Sequence, residues 1–445
     1  PHGKLWTYNL NYFEYLRQSD MEADQGLALM HAWIAKESTH ADGWEPYPLS
    51  LRLVNWLQFL REHQATDKIE VEETLLASIR RQYAALSAKI EWHLGGNHLL
   101  ENLLGLAICA TFLGREQDLR RWVRLLKLAA TDQYTAQGEH YERSIMYHCV
   151  LLFRWLDFCS WLPAMKVIGA EERKAFRQLV QRQVAWLQSM VTPAGQYPHF
   201  NDSTEGVAPS VATLLAYAKK LAILPLQPEA IGESRGEVNK TAYYHWQNSK
   251  ADLWIDAAPI GPDHIPGHAH ADNLTFVLHL KGAPLLVDTG ISTYEKNARR
   301  TRERSTAAHN TVSINATNSS DVWGGFRVGK RARTRVLSKD EKSLVAEHTG
   351  YDHPHQRRFE LTAQGLYLTD SIGPHRGVAY FHFHEDRSLE LGEHRLRGDG
   401  FHVRWSAGIA NLRDYKRSLG FNSLVTAKVL ELSFTEHLEV WVAWE

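Results

Sequence analysis

The sequence predicts an α+β protein in two parts: an N-terminal α/α toroid, an incomplete barrel of helical hairpins, followed by a C-terminal antiparallel β-sandwich. Three observations carry that expectation. Apolar residues recur at helical spacing through residues 1–225 without an intervening strand pattern. From Leu224 to Lys240 the period is lost, and Pro225, Pro228, Gly232 and Gly236 appear among scattered charge, which reads as a linker centred on 226–240. Residues 241–445 then switch to short alternating or β-branched runs separated by turn residues.

In chain order, helices are expected at Leu27 to Lys36, Pro48 to Glu62, Val71 to Trp92, Asn97 to Phe112, Gln117 to Ala130, Ser144 to Trp161, Glu171 to Met190 and Ser210 to Ile223. Gly, Pro or Asp/Asn punctuation separates most of them. Serial helical hairpins suggest a toroid or a solenoid, and the lack of a strict repeat weighs against the solenoid. Strands are expected at Leu274 to Leu280, Pro284 to Asp288, Asn310 to Ile314, Arg333 to Leu337, Ser343 to Thr349, Arg358 to Thr362, Gly365 to Ser371, Val378 to His384 and Leu438 to Trp444. Lys281-Gly282 between the first two is a hairpin signal.

Composition sets the bounds. A chain of 445 residues is too long for one ordinary core. Its net charge of -1 argues against a nucleic-acid partner, which would call for broad positive charge. Two local basic runs break that balance: Lys296, Arg299, Arg300, Arg302 and Arg304, then Arg327, Lys330, Arg331, Arg333 and Arg335. They read as solvated faces or, beside a site, as a landing surface for a polyanion. Cys109, Cys149 and Cys159 lie in apolar helical stretches and read as core residues, not disulfides. No apolar run reaches membrane-spanning length. The chain opens at Pro1 in mid-pattern, which leaves room for a removed upstream segment.

Three constellations carry chemistry. The segment 264–310 places three histidines in seven residues, His264, His268 and His270, then Asp288 and His309 at longer spacing. Two imidazoles and a carboxylate suit a divalent metal, zinc above all. His270, Asp288 and His309 make the sensible set and leave His268 free to move protons. The bland alternative is a His-rich solvated loop. A tight Lys281-Gly282 hairpin puts Asp288 opposite Thr275, so segment 267–273 must fold back over the sheet for this set to meet. The second constellation, Gly95-Gly96-Asn97-His98, opens a helix where free N–H groups and the dipole favour an anion, although an ordinary Asn cap reads the same way. Glu101 lies on the same helix face as His98 and is placed to orient its ring. The third, Tyr141-Glu142-Arg143-Ser144 to Tyr147-His148, is polar for a segment entering a buried helix. Trp44 and the His199-Phe200-Asn201-Asp202 loop add aromatic and polar groups, and 15 Trp leave some available for sugar rings.

Together these segments resemble the heparinase II/III family of bacterial polysaccharide lyases. The resemblance runs from Leu5-Trp6-Thr7-Tyr8-Asn9-Leu10-Asn11-Tyr12-Phe13 through Asn97-His98, Glu142-Arg143-Ser144 to Tyr147-His148 and Gly267 to Asn273, on to Ser305 to Thr311 and Trp323-Gly324-Gly325-Phe326. It implies the same toroid and sandwich, and β-elimination on a uronate-containing polysaccharide. Asn97 and His98 would neutralise the uronate carboxylate, while Tyr147 and His268 would share the base and acid roles, with Tyr141 a weaker candidate. Arg143 would help to lower the Tyr147 pKa. With Trp44, Glu101 and Arg143, Arg304 completes the expected substrate-contacting set. The resemblance also implies a structural zinc on His270, Asp288 and His309, no organic cofactor, an acidic polysaccharide as partner, and a periplasmic or secreted bacterial setting. Two other functions stay open: a uronate C5-epimerase, which shares the carboxylate neutralisation and proton abstraction, and a non-catalytic polyanion-binding protein that keeps the fold.

Overall fold

A computed structural model of the chain describes residues 3–65, 71–226 and 243–444. Helices fill the N-terminal part. The eight expected ones form at Ala23–Ile34, Pro46–Gln64, Glu73–Ala88, Gly96–Phe112, Glu116–Gln133, Ile145–Trp161, Ala170–Met190 and Val211–Lys220, with a further one at Lys4–Tyr12. Strands begin at Tyr243 among the described residues. The expected linker, 226–240, lies outside the described residues apart from Leu226.

Two compact units cross that helix-to-strand border. One comprises Pro1–Tyr134, Leu151–Gln181 and Tyr217–Leu224; the other comprises Thr135–Val150, Arg182–Ala216 and Pro225–Glu445. The grouping matters for chemistry, because Tyr147 and Asp202 fall in the same unit as the strands.

In the helical unit, Trp56, Leu57, Leu103, Leu106, Trp155 and Leu156 are fully buried. Buried charge is tolerated there because it is paired. Arg154 donates to Glu101 and to Asp157, each at 2.9 Å, and Arg17 reaches Asp157 from the other side at 2.9 Å.

The strand unit holds a 4-stranded antiparallel sheet ordered Tyr243–Gln247, Ala251–Asp256, Phe276–Leu280, Ala283–Leu286. A 10-stranded sheet is built around two long strands, Gly365–His382 and Ser423–Trp444. The stretches Gly365 to Ser371 and Val378 to His384, expected as separate strands, are the two ends of the first of these. Between them its pairing to Ser423–Trp444 is interrupted by a bulge from Ser371 to Arg376, and that break produced the gap in the alternating pattern. Leu253, Ile255, Phe276 and Leu278 of the smaller sheet share one apolar cluster with Phe359, Leu366, Leu368, Val440 and Val442 of the larger. Two sheet faces closing on one core make a sandwich. Lys281 and Gly282 form the predicted two-residue turn, with Leu280 opposite Ala283 and both φ angles positive, at 50° and 79°. An irregularity between Leu278 and His279 then shifts the register by one residue and pairs Leu278 with Leu286.

Candidate active site

Tyr147 stands on the first turn of helix Ile145–Trp161, and the residues before it fix its place. Ser144 caps the turn: its Oγ accepts from the Tyr147 N–H at 3.1 Å and donates to the Asp202 carbonyl at 2.5 Å. The Tyr147 ring lies against the imidazole of His268, with centroids 3.9 Å apart and planes inclined by 30°. Tyr294 donates its hydroxyl to the Tyr147 oxygen at 3.1 Å. Burial pushes the Tyr147 phenol well above its ordinary pKa; the Tyr294 hydrogen bond and Arg300 oppose that, while Asp202 and Glu142 add to it. This corrects the role expected of Arg143, whose guanidinium donates to the Pro259 carbonyl instead of lowering the phenol.

Asp202 organises the other side. It is fully buried and takes both guanidinium nitrogens of Arg300, at 2.5 and 2.8 Å. The same carboxylate accepts from Nδ1 of His268 at 2.9 Å and from Nε2 of His270 at 2.8 Å. Burial alone would raise its carboxyl, but Arg300 and the two imidazoles hold it well below the usual carboxylate range. A carboxylate that only accepts sets both tautomers. His268 keeps its proton on Nδ1 and presents the Nε2 lone pair; His270 keeps its proton on Nε2 and presents Nδ1. The loop bearing them is pinned by its backbone as well. Asp202 N–H donates to the His268 carbonyl at 3.0 Å, His270 N–H donates to Asn201 Oδ1 at 3.0 Å, and Ala271 N–H donates to the Arg304 carbonyl at 3.0 Å.

A candidate metal-ligating cluster in the structure includes Asp272 where Asp288 was expected. His270, Asp272 and His309 bring candidate ligand atoms within 4.8 Å of one another. His270 Nδ1, Asp272 Oδ2 and His309 Nε2 are all buried without a hydrogen-bond partner. Asp288 stands behind the cluster, accepting from His309 Nδ1 at 2.7 Å. It therefore acts on the ring, in the way carboxylates commonly orient metal-bound histidines. Register explains the exchange: Asp288 follows a strand, whereas Asp272 sits in the loop that folds back, two residues from His270. Burial lowers the His270 pKa to about 3, so its imidazole is neutral, as a ligand must be. Two imidazoles and a carboxylate with three unpartnered buried atoms fit a divalent cation.

In the helical unit, Asn97 and His98 open helix Gly96–Phe112 as expected. Gly95 takes φ 60° and ψ −143°, a conformation essentially closed to residues with a Cβ, and this sharp entry starts the helix at Gly96. Asn97 is buried. His98 packs on the Tyr47 ring, with centroids 4.5 Å apart, and pairs through Nδ1 with Glu91 Oε1 at 3.1 Å. Glu91, not Glu101, therefore steadies the imidazole. Glu101 is wholly buried on Arg154, which removes it from the expected substrate-contacting set. Trp44 is half-buried, its indole N–H given to the Glu37 carbonyl at 2.7 Å and its ring tilted against Trp33.

Residues 13–228 match the heparinase II/III N-terminus, and residues 231–438 match the heparinase II/III-like C-terminal region. The chain belongs to the heparinase II/III family. Its structure is similar to that of a heparinase III, with a TM-score of 0.78 at 16% identity over 100% of this chain and 78% of that one. A heparan sulfate lyase from Pedobacter heparinus superimposes with a TM-score of 0.67 at 17% identity, covering 100% and 77% of the two chains. A chondroitinase AC lyase, more distant, gives 0.52 at 11% identity over 99% and 74%. No curated protein matches the chain. These likenesses establish a helical toroid followed by a β-sandwich.

Within this heparinase II/III fold the basic run at 296–304 divides: Lys296 and Arg302 are exposed, whereas two of its arginines are not. Helix Ala298–Glu303 turns Arg300 inward, and Arg304 follows one turn later; each is 1% exposed. Arg304 donates to the Ala269 carbonyl at 2.9 Å, so it holds the histidine loop and is not free for a ligand. Tyr141 lies against His264, with 3.4 Å between its hydroxyl and Nε2. The sequence alone gave no specific site role to Asp202, Asp272, Tyr294 or Arg300. Arg300 and Glu303 are the two buried residues of the short helix Ala298–Glu303, three apart on one face, a spacing masked by the charged neighbours of Arg300.

Proposed function

We propose that the protein is a polysaccharide lyase that cleaves a uronate-containing acidic polysaccharide by β-elimination. The observation that carries this reading is the half-buried, ring-to-ring Tyr147–His268 pair, with Asp202 fixing the imidazole tautomer. Breaking the C5–H bond of a uronate is prohibitive until the neighbouring carboxylate is neutralised. By the family resemblance that task falls to Asn97 and His98, at a helix N-terminus, and donors of this kind are worth about 3–4 kcal/mol each on a developing enolate-like charge.

Proton roles follow from the environments. His268 Nε2 accepts the C5 proton, and Asp202 stabilises the imidazolium that results. The C5 electron pair forms the C4–C5 double bond as the C4–O4 bond breaks. Tyr147, whose phenol stays protonated because burial raises its pKa, gives its proton to O4. Positioned transfers of this kind contribute about 10²–10⁴-fold each. His270, Asp272 and His309 would hold a divalent cation, zinc first by donor type. Its contribution would be structural, tying the histidine loop to the start of the next strand region.

Ultraviolet absorbance of an unsaturated uronate product, over a panel of uronate polysaccharides, tests the reading. Solvent deuterium appearing at C5 without cleavage would replace it with epimerisation.

A further inference from the structure

A short hairpin beside His268 presents aromatic surface that the chemistry above does not use. Strands Asp321–Trp323 and Arg327–Gly329 pair antiparallel, with Trp323 opposite Arg327 and Val322 opposite Val328. Alternation sorts the two faces. Val322 and Val328 turn inward onto Ile260, Ala269 and Ala271, the last two flanking His270. Trp323 and Arg327 turn outward, and Trp323 is 52% exposed. Gly329 leaves room for the indole: a Cβ there would come within 3.0 Å of the Trp323 ring.

The turn of the hairpin is tied to the site. Arg300 donates to the Gly325 carbonyl through Nε at 3.0 Å and Nη2 at 2.9 Å while it clamps Asp202. Phe326, 40% exposed, meets the His268 ring edge-on with centroids 6.1 Å apart and the Tyr294 ring at 5.1 Å. Arg327 and Lys330 are exposed on the same hairpin, and Lys296 packs beside Gly325.

We infer that this hairpin is a sugar subsite: Trp323 stacks on the pyranose adjacent to the residue undergoing elimination, and Arg327 and Lys330 take its anionic substituent. An indole face suits the C–H face of a pyranose, and cations at its rim suit carboxylate or sulfate. A rigid mount matters, since a stacking group on a loose loop would lose its affinity to ordering. The inference rests on the proposed lyase reading for its substrate class, but its test need not depend on turnover.

Binding of glycosaminoglycan and alginate hexasaccharides would be measured by titration calorimetry in a Tyr147→Phe background, and turnover separately in the otherwise unaltered chain. Trp323→Ala should weaken binding about tenfold, as loss of a buried aromatic anchor does. Trp323→Tyr should restore most of it, and Trp323→Ala should raise KM far more than it lowers kcat. Melting curves of both variants should match the parent, because the indole is half exposed. Unchanged affinity in Trp323→Ala overturns the inference even if the wild type is an active lyase. Weakened binding without any wild-type turnover upholds the subsite and sinks the lyase reading instead. Wild-type binding to none of the hexasaccharides overturns both.

Discussion

Replacing Asp202 by Asn tests the organisation of the site most severely. The substitution removes one unit of charge from a fully buried carboxylate that accepts two Arg300 bonds and one bond from each of two histidines. Arg300, 1% exposed, is then a buried cation facing a neutral amide. Breaking a buried ion pair from one side costs about 3–5 kcal/mol, which for a unit of this size lowers the melting temperature by about 10 °C. The amide also presents N–H where an acceptor is needed, so His268 loses its fixed tautomer. An Asp-to-Asn change behind a catalytic imidazole costs up to about 10⁴-fold in rate. The assay is product absorbance at a temperature where the variant is folded, with His268→Ala and the double variant in parallel. Since Asp202 acts through His268, the double variant should be little slower than His268→Ala alone. Turnover within about twofold of wild type in Asp202→Asn, or fully additive losses in the double variant, would refute the reasoning.

Other outcomes follow from the same structure. His270→Ala and Asp272→Asn should each remove bound cation in elemental analysis and lower the melting temperature, while Asp288→Asn should weaken cation retention by about 10–100-fold without abolishing it. Asp157, Asp202 and Asp370 are carboxyls that burial would raise but arginine partners hold low. Below about pH 4 the unfolded chain therefore binds more protons than the folded one, and the stability these groups contribute at neutral pH is lost as pH falls through their folded values. Melting temperature should accordingly drop steeply below about pH 4, and Asp370→Asn should flatten that slope while lowering stability at pH 7. Gly95→Ala should destabilise the helical unit by about 1–3 kcal/mol in denaturant unfolding, because φ 60° with ψ −143° strains any Cβ.

What the sequence revealed depended on how local the cause was. Eight of the helices, the Lys281-Gly282 turn and the opening of a helix at Asn97 are set by neighbours within a few residues and were legible, whereas the helices at Lys4–Tyr12 and Ala298–Glu303 were not. Tyr147 and His268 could be singled out as residue types, yet their contact spans 121 positions and has no local signature. Choosing between Asp272 and Asp288 depended on which oxygen a folded-back loop turns toward two imidazoles. Spacing favoured the strand end, whereas the grouping of candidate donor atoms within 4.8 Å takes its carboxylate from the loop. Arg300 was hidden by composition: among five basic residues, the one buried on Asp202 looks like the rest until the helix phase is known. Glu101 misled for the opposite reason. Its position one turn from His98 is right for contact, but Arg154, far along the chain, takes it.

β-Elimination by Tyr147 and His268 is tested most directly by the absorbance of unsaturated uronate produced by the wild type, Tyr147→Phe and His268→Ala on a panel of uronate polysaccharides. The wild type should give strong signal on at least one polymer, and each folded variant should lose about 10²–10⁴-fold. No signal from the wild type on any of them, or near-wild-type rates in either variant, would contradict that assignment.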